Sequence, residues 1–213
     1  MSLTDHRAIR LDRQWDGSTA PTDARGAASL EIAGPDLLLS WDLRIREPLR
    51  MPSSPPGFLD GLWEHDVVEL FLAPAHLLEG PPRYLELEAG AAGHWLALDL
   101  ADVRVRRAEL RGLAVHVSGG AVAAGALRWQ GRMRVSVSDI TDVIGARPWR
   151  GLVAAVLGGG ASERCYLTSS ALPGERPNFH QPQGWVGLVR RSRKVPGTFR
   201  GLRRREGASG AAA

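Results

Sequence analysis

Leu37-Leu38-Leu39-Ser40-Trp41-Asp42-Leu43-Arg44-Ile45-Arg46 is the stretch on which the fold reading turns. Its large apolar residues recur at every second position: Leu37, Leu39, Trp41, Leu43 and Ile45 share one side, with Leu38, Ser40, Asp42, Arg44 and Arg46 on the other. A period of two is the signature of a strand with one face on a core. The same rhythm returns downstream. Val68, Leu70 and Leu72 point inward against Val67, Glu69 and Phe71; Leu85 and Leu87 alternate with Tyr84, Glu86 and Glu88. Leu96, Leu98 and Leu100 are expected to face the core, opposite Trp95 and Asp99. Val103 to Leu110, Leu113 to Ser118 and Arg132 to Val137 read as further strands. Leu152 to Leu157 is apolar on both faces and reads as a central strand, and Trp185 to Val189 closes the series.

Turn signals separate these runs: Gly34-Pro35-Asp36, Gly80-Pro81-Pro82, Ala92-Gly93, Gly119-Gly120 and Gly158-Gly159-Gly160. The only helical pattern is Asp139 to Ile144, with Ser138 or Asp139 as N-cap. Short strands spaced by turns predict an all-β fold, an antiparallel sandwich of jelly-roll type with about ten strands and at most one short helix. Residues 47–62 read as a Pro/Gly-rich loop within that domain.

Charge divides the chain in two. Residues 190–213 carry Arg190, Arg191, Arg193, Lys194, Arg200, Arg203, Arg204 and Arg205 against Glu206, a net +7, so the +4 of the whole chain leaves residues 1–189 at −3. The division suggests a ligand-binding domain over 1–189 and a basic, flexible tail over 190–213. Because Lys194 is the only lysine and the chain is rich in Ala and Gly, the arginines read as coding bias; the other reading is a tail that contacts phosphates. Nucleic acid or an anionic surface would then be met through the tail alone. Apolar runs all fall short of the roughly 20 residues of a spanning helix, the first twenty residues lack a signal-peptide core, and Cys165 has no partner for a disulfide. A cytoplasmic location is the expectation.

Several chemistries find no support. Gly-x-Ser-x-Gly is absent, Gly158-Gly159-Gly160 lacks the ending of a phosphate loop, and Cys165 sits in a core-like strand context. No two histidines have metal-ligand spacing, so neither a metal nor a cofactor is expected. Carboxylates remain. Glu64, Asp66 and Glu88 read as solvated, whereas Glu69 shares the outer face of its strand with Val67 and Phe71. If the next strand pairs antiparallel, Tyr84 and Glu86 join Glu69 on that face, with Trp63 just upstream. A tryptophan beside carboxylates suits a sugar, since the ring covers the apolar C–H face while the carboxylates accept hydroxyl hydrogen bonds. Rim packing beneath the 47–62 loop is the alternative role for Trp63.

Two blocks carry a family resemblance. Gly61-Leu62-Trp63-Glu64-His65-Asp66-Val67-Val68-Glu69-Leu70-Phe71-Leu72, followed by Tyr84-Leu85-Glu86-Leu87-Glu88, resembles the central block of the DOMON-like superfamily, in particular its family-nine-type carbohydrate-binding modules. Cys165 to Leu188, containing Pro177-Asn178-Phe179-His180-Gln181-Pro182 and Trp185, is similar to the closing block. The resemblance spans about residues 8–190 and is nearest to a stand-alone intracellular bacterial branch. It implies a β-sandwich that grips a sugar between two aromatic side chains: Trp63 as one platform, Phe179 as the second, Glu69 as carboxylate acceptor, and Asn178 and His180 as polar contacts. A Phe stands here where the well-known sugar binders have Trp.

The expectation is a non-catalytic domain binding a sugar or polyol-like small molecule, with Trp63, Glu69, Tyr84, Glu86, Asn178, Phe179 and His180 at the site. Other classes are a haem-binding electron carrier using Met51 or Met133 with a histidine, an accessory protein docking through its tail, and a glycosidase.

Overall fold

A computed structural model describes residues 5–76, 83–124 and 126–189. Among the described residues, thirteen strands form two sheets. β1 (Asp5–Leu11), β2 (Gly26–Ala33), β3 (Asp36–Arg44), β9 (His116–Ala124) and β10 (Ala126–Ser136) make the first sheet in the order β1-β2-β3-β10-β9. The second runs β12 (Cys165–Thr168), β11 (Trp149–Leu157), β5 (Val67–Pro74), β6 (Tyr84–Gly90), β7 (His94–Asp102), β4 (Gly57–Phe58). β13 (Val186–Val189) also pairs with β11, and β8 (Val105–Glu109) with β7. All pairings are antiparallel except β4 with β7. The fold is the all-β sandwich that the alternation predicts.

The main core lies between the sheets. Leu37, Leu39, Trp41 and Leu43 of β3 and Trp129, Met133 and Val135 of β10 meet Val68, Leu70, Leu72, Leu85, Leu87, Val153 and Ala155 of the second sheet. Full burial of each such side chain stabilises the fold by about 1.5–3 kcal/mol relative to exposure. Trp41 and Trp129 pack edge to face with centroids 5.5 Å apart. Gly131 makes this pair fit, because a Cβ there would lie 2.2 Å from the Trp41 ring.

The second sheet is buried on both faces, and this departs from the sequence reading. Its outer face carries Val67, Phe71, Leu96, Leu98, Leu100, Leu152, Ala154 and Val156, covered by Leu62, Leu172, Phe179 and Trp185. Leu96, Leu98 and Leu100 therefore turn away from the inter-sheet core. Register explains it: they stand opposite Glu88, Glu86 and Tyr84 on β6, residues of the outer face. Alternation alone does not say which side a strand buries when a long return segment, here residues 169–185, supplies a second apolar cover.

Smaller corrections follow the same logic. Gly119 and Gly120 are not a turn but lie inside β9, paired with Gly131 and Gln130. Gly119 has φ +116°, and a Cβ there would meet the Gln130 carbonyl at 2.3 Å. The helix α1 spans Val137–Ile144 and starts after Ser136, earlier than the expected caps. β1, β2 and β4 were not anticipated; β1 mixes Arg and Ala with its apolar residues, and β2 is rich in Ala. Gly80-Pro81-Pro82 and the 190–213 tail lie outside the described residues. No helix among those described is long and apolar enough to cross a membrane.

Candidate functional site

The strands β5 and β6 bring the carboxyls together. Glu69 is paired in register with Glu88, and Glu86 with Phe71, so the period of two places all three glutamates on the outer face. Glu69, Glu86 and Glu88 are 3%, 5% and 0% exposed. Glu88 is thus not a solvated residue of an open sheet face, and neither of its carboxyl oxygens has a hydrogen-bond partner among the described residues. Asp66 is also buried, not solvated. Its carboxylate accepts the Arg50 and Gly158 backbone N–H groups, both at 2.7 Å, and so ties the 47–62 loop to the glycine triplet.

Above the glutamates is a cavity of about 470 Å³, lined by Trp63, Glu69, Glu86, Phe179 and His180 among the expected residues. Leu98, Leu100, Val156, Tyr166 and Pro177 give it apolar walls, and Arg104, Arg106 and Arg164 contribute three guanidinium groups. Tyr166 and Phe179 meet edge to face at 6.3 Å. Trp63 rides on a single 3-10 turn, Leu62–Glu64, entered through Gly61 at φ +79°, a left-handed conformation that glycine adopts without strain. It is 37% exposed. Arg164 Nη2 donates to the Trp63 and His65 carbonyls, both at 2.9 Å, and pins that turn beside the cavity. One Trp63 face is occupied: the Arg106 guanidinium lies 5.0 Å from its ring centroid and is held by Asp60 at 2.8 Å.

Tyr84 and Asn178 do not line the cavity. Tyr84 is fully buried, its hydroxyl 2.8 Å from His180 Nδ1 and receiving the Arg104 N–H at 3.1 Å. Asn178 lines a neighbouring surface depression, where its Oδ1 accepts from Arg104 Nη2 and from the His180 N–H, each at 3.2 Å. Both residues position His180 and the β7–β8 turn. Aromatic packing explains Tyr84's place: it sits against Trp185 on the covered face.

Electrostatics follow from burial. Loss of hydration pushes Glu86 up to about 7, an effect opposed by the neighbouring Glu88 carboxyl and by Arg106 and Arg104. Burial also holds Glu69 well above the carboxylate range, with Glu86 adding to the rise and Arg164 countering it. Glu88 is raised in the same way, with both neighbouring glutamates contributing. Tyr84 is pushed up to about 12, again mainly by burial. His180 is pushed down to about 4 by burial and then by Arg104, so its imidazole is neutral near pH 7. A neutral imidazole that accepts the Tyr84 O–H at Nδ1 carries its proton on Nε2, the nitrogen left free to donate.

Cavity-side arginines, Tyr166 and the β7 leucines were missed by sequence reasoning. Arg104 to Arg107 gave no pattern distinct from the rest of an arginine-rich chain, and Tyr166 lay in a strand read as core. Met133 is buried between the sheets and Met51 is exposed; neither lines the cavity. Among the described residues no group of three or more His, Cys, Asp or Glu is placed to hold a metal ion. No protein-family model matches this chain, and no curated protein does either.

Proposed function

We propose that this protein is a non-catalytic binding domain of DOMON-like type whose cavity holds a small carbohydrate or related polyol. The observation that carries the reading is the cavity's composition. Aromatic side chains of Trp63, Tyr166 and Phe179 stand around two buried carboxyls, Glu69 and Glu86, in a space of about 470 Å³. That volume is in the range of small-molecule pockets, roughly 300–1,000 Å³. Rings supply apolar surface for sugar C–H groups, and carboxyls and His180 Nε2–H supply hydrogen bonds to hydroxyls.

Burial drives Glu69 and Glu88 toward the neutral form and raises Glu86 to about 7. A protonated glutamate still donates one hydrogen bond and accepts others, which suits hydroxyl recognition.

Calorimetric titration against a panel of monosaccharides and their derivatives tests the proposal. Binding in the micromolar to millimolar range is expected for an open site of this size, about −4 to −8 kcal/mol. Trp63→Ala and Phe179→Ala should each weaken it at least tenfold while circular dichroism shows the fold retained. Absence of binding across the panel, or binding that ignores both substitutions in folded protein, refutes the assignment.

A further inference from the structure

Three arginines reach the cavity from two separate segments: Arg104 and Arg106 from the β7–β8 hairpin, and Arg164 from the loop before β12. They line it together with Glu69 and Glu86. Among the described residues, no ion pair within 4.0 Å joins Arg104, Arg106 or Arg164 to Glu69 or Glu86. Only Arg106 has carboxylate partners, Asp60 and Glu109, on its outer side. The Arg104 side chain donates to the neutral Asn178 amide. Arg164 donates to two backbone carbonyls, and its buried Nε has no hydrogen-bond partner among the described residues. Two guanidinium groups with no carboxylate partner thus look into a partly enclosed space where water screens charge less than at an open surface.

The cavity therefore presents both carboxyls and guanidinium groups to a ligand. We propose that its ligand is an acidic polyol, a sugar bearing a carboxylate or phosphate group, which sets its anionic group against Arg104 and Arg164 and its hydroxyls against Glu69 and Glu86. This rests on the polyol reading above and narrows it. Guanidinium is suited to the anionic end because its planar donors match the oxygens of both carboxylate and phosphate. Arg106, already neutralised by Asp60 and stacked on Trp63, closes the rim.

Titrations of the intact protein with glucose, galactose and mannose, their uronic acids, and their 6-phosphates decide the matter. At least one acidic sugar should bind tenfold or more tightly than its neutral parent, and the preference should shrink as salt is raised. Preference for the uronic acids identifies a carboxylate ligand, and preference for the phosphates a phosphorylated one. Arg104→Gln should lower the affinity for the acidic sugar roughly ten- to hundredfold, the worth of a hydrogen bond to a charged group, and by clearly more than it lowers that for the neutral parent, whose loss reads the disturbance of Asn178 and His180. Arg164 also supports the Trp63 turn, so Arg164→Gln is compared with Arg164→Lys, which keeps the charge and should retain part of the preference. Neutral and acidic sugars binding equally would overturn this inference and leave the polyol reading standing. If no compound of any of the three sets binds, both fail.

Discussion

Replacing Glu86 by Gln should stabilise the ligand-free protein at alkaline pH and do little at acid pH. The side chain keeps its shape but loses the ability to ionise. Glu86 is 5% exposed and burial raises it from an ordinary 4.5 to about 7. In the unfolded chain the same carboxyl ionises near 4.3. A carboxyl whose folded value lies above its unfolded value contributes its full stability below the unfolded value and loses it as pH rises through the folded one. The loss therefore runs from about pH 4 to about pH 7 or slightly above. At 1.36 kcal/mol for each pH unit, the rise from the unfolded value amounts to about 4 kcal/mol. Glu86→Gln should thus be close to neutral at pH 4 and stabilising by about 4 kcal/mol at pH 8.5, equivalent to roughly 8–16 °C in Tm for a chain of this size. Urea denaturation at both pH values, followed by tryptophan fluorescence, measures the difference. A change in stability independent of pH would refute the claim that Glu86 is held toward its neutral form by burial. The cost is informative in itself, since retaining buried carboxyls without partners sacrifices stability, a pattern expected where a site serves binding.

Two further expectations concern the scaffold. Asp66→Ala should destabilise the protein by about 2–4 kcal/mol in the same denaturation assay at pH 7, because it leaves the Arg50 and Gly158 N–H groups without their acceptor; a change below 0.5 kcal/mol, within the usual spread for surface substitutions, would contradict that role. Cys165 is buried and its thiol is pushed up to about 11, mainly by burial. Native protein should therefore resist thiol reagents at pH 8 and label rapidly only in denaturant, whereas stoichiometric labelling within seconds under native conditions would disprove its burial.

Much of the scaffold was legible because a strand with one covered face writes its burial into a period of two. β3, β5 and β6 show it plainly, and parity puts Glu69 and Glu86 on one face once β5 and β6 pair antiparallel. Leu152 to Leu157 was legible too, as an apolar run is what a strand covered on both sides requires. β7 failed the same reading: its leucines alternate as expected but bury on the other face, because cover comes from residues about eighty positions later in the chain. Glu88 and Asp66 failed for a related reason, since a carboxylate's burial depends on what folds over it rather than on its own strand.

By itself the sequence determined the all-β sandwich class, the outer-face grouping of Glu69, Tyr84 and Glu86, and the core placement of Cys165, all consequences of local periodicity. Tertiary structure alone decided which of these residues meet an open cavity. It turned Tyr84 and Asn178 into supports for His180, brought Arg164 to the same cavity as Arg104 and Arg106 of the β7–β8 hairpin, and laid Arg106 over Trp63. The physical reason is that a cavity is made by contacts between segments distant in sequence, and its charge balance is set by distances that no local pattern encodes.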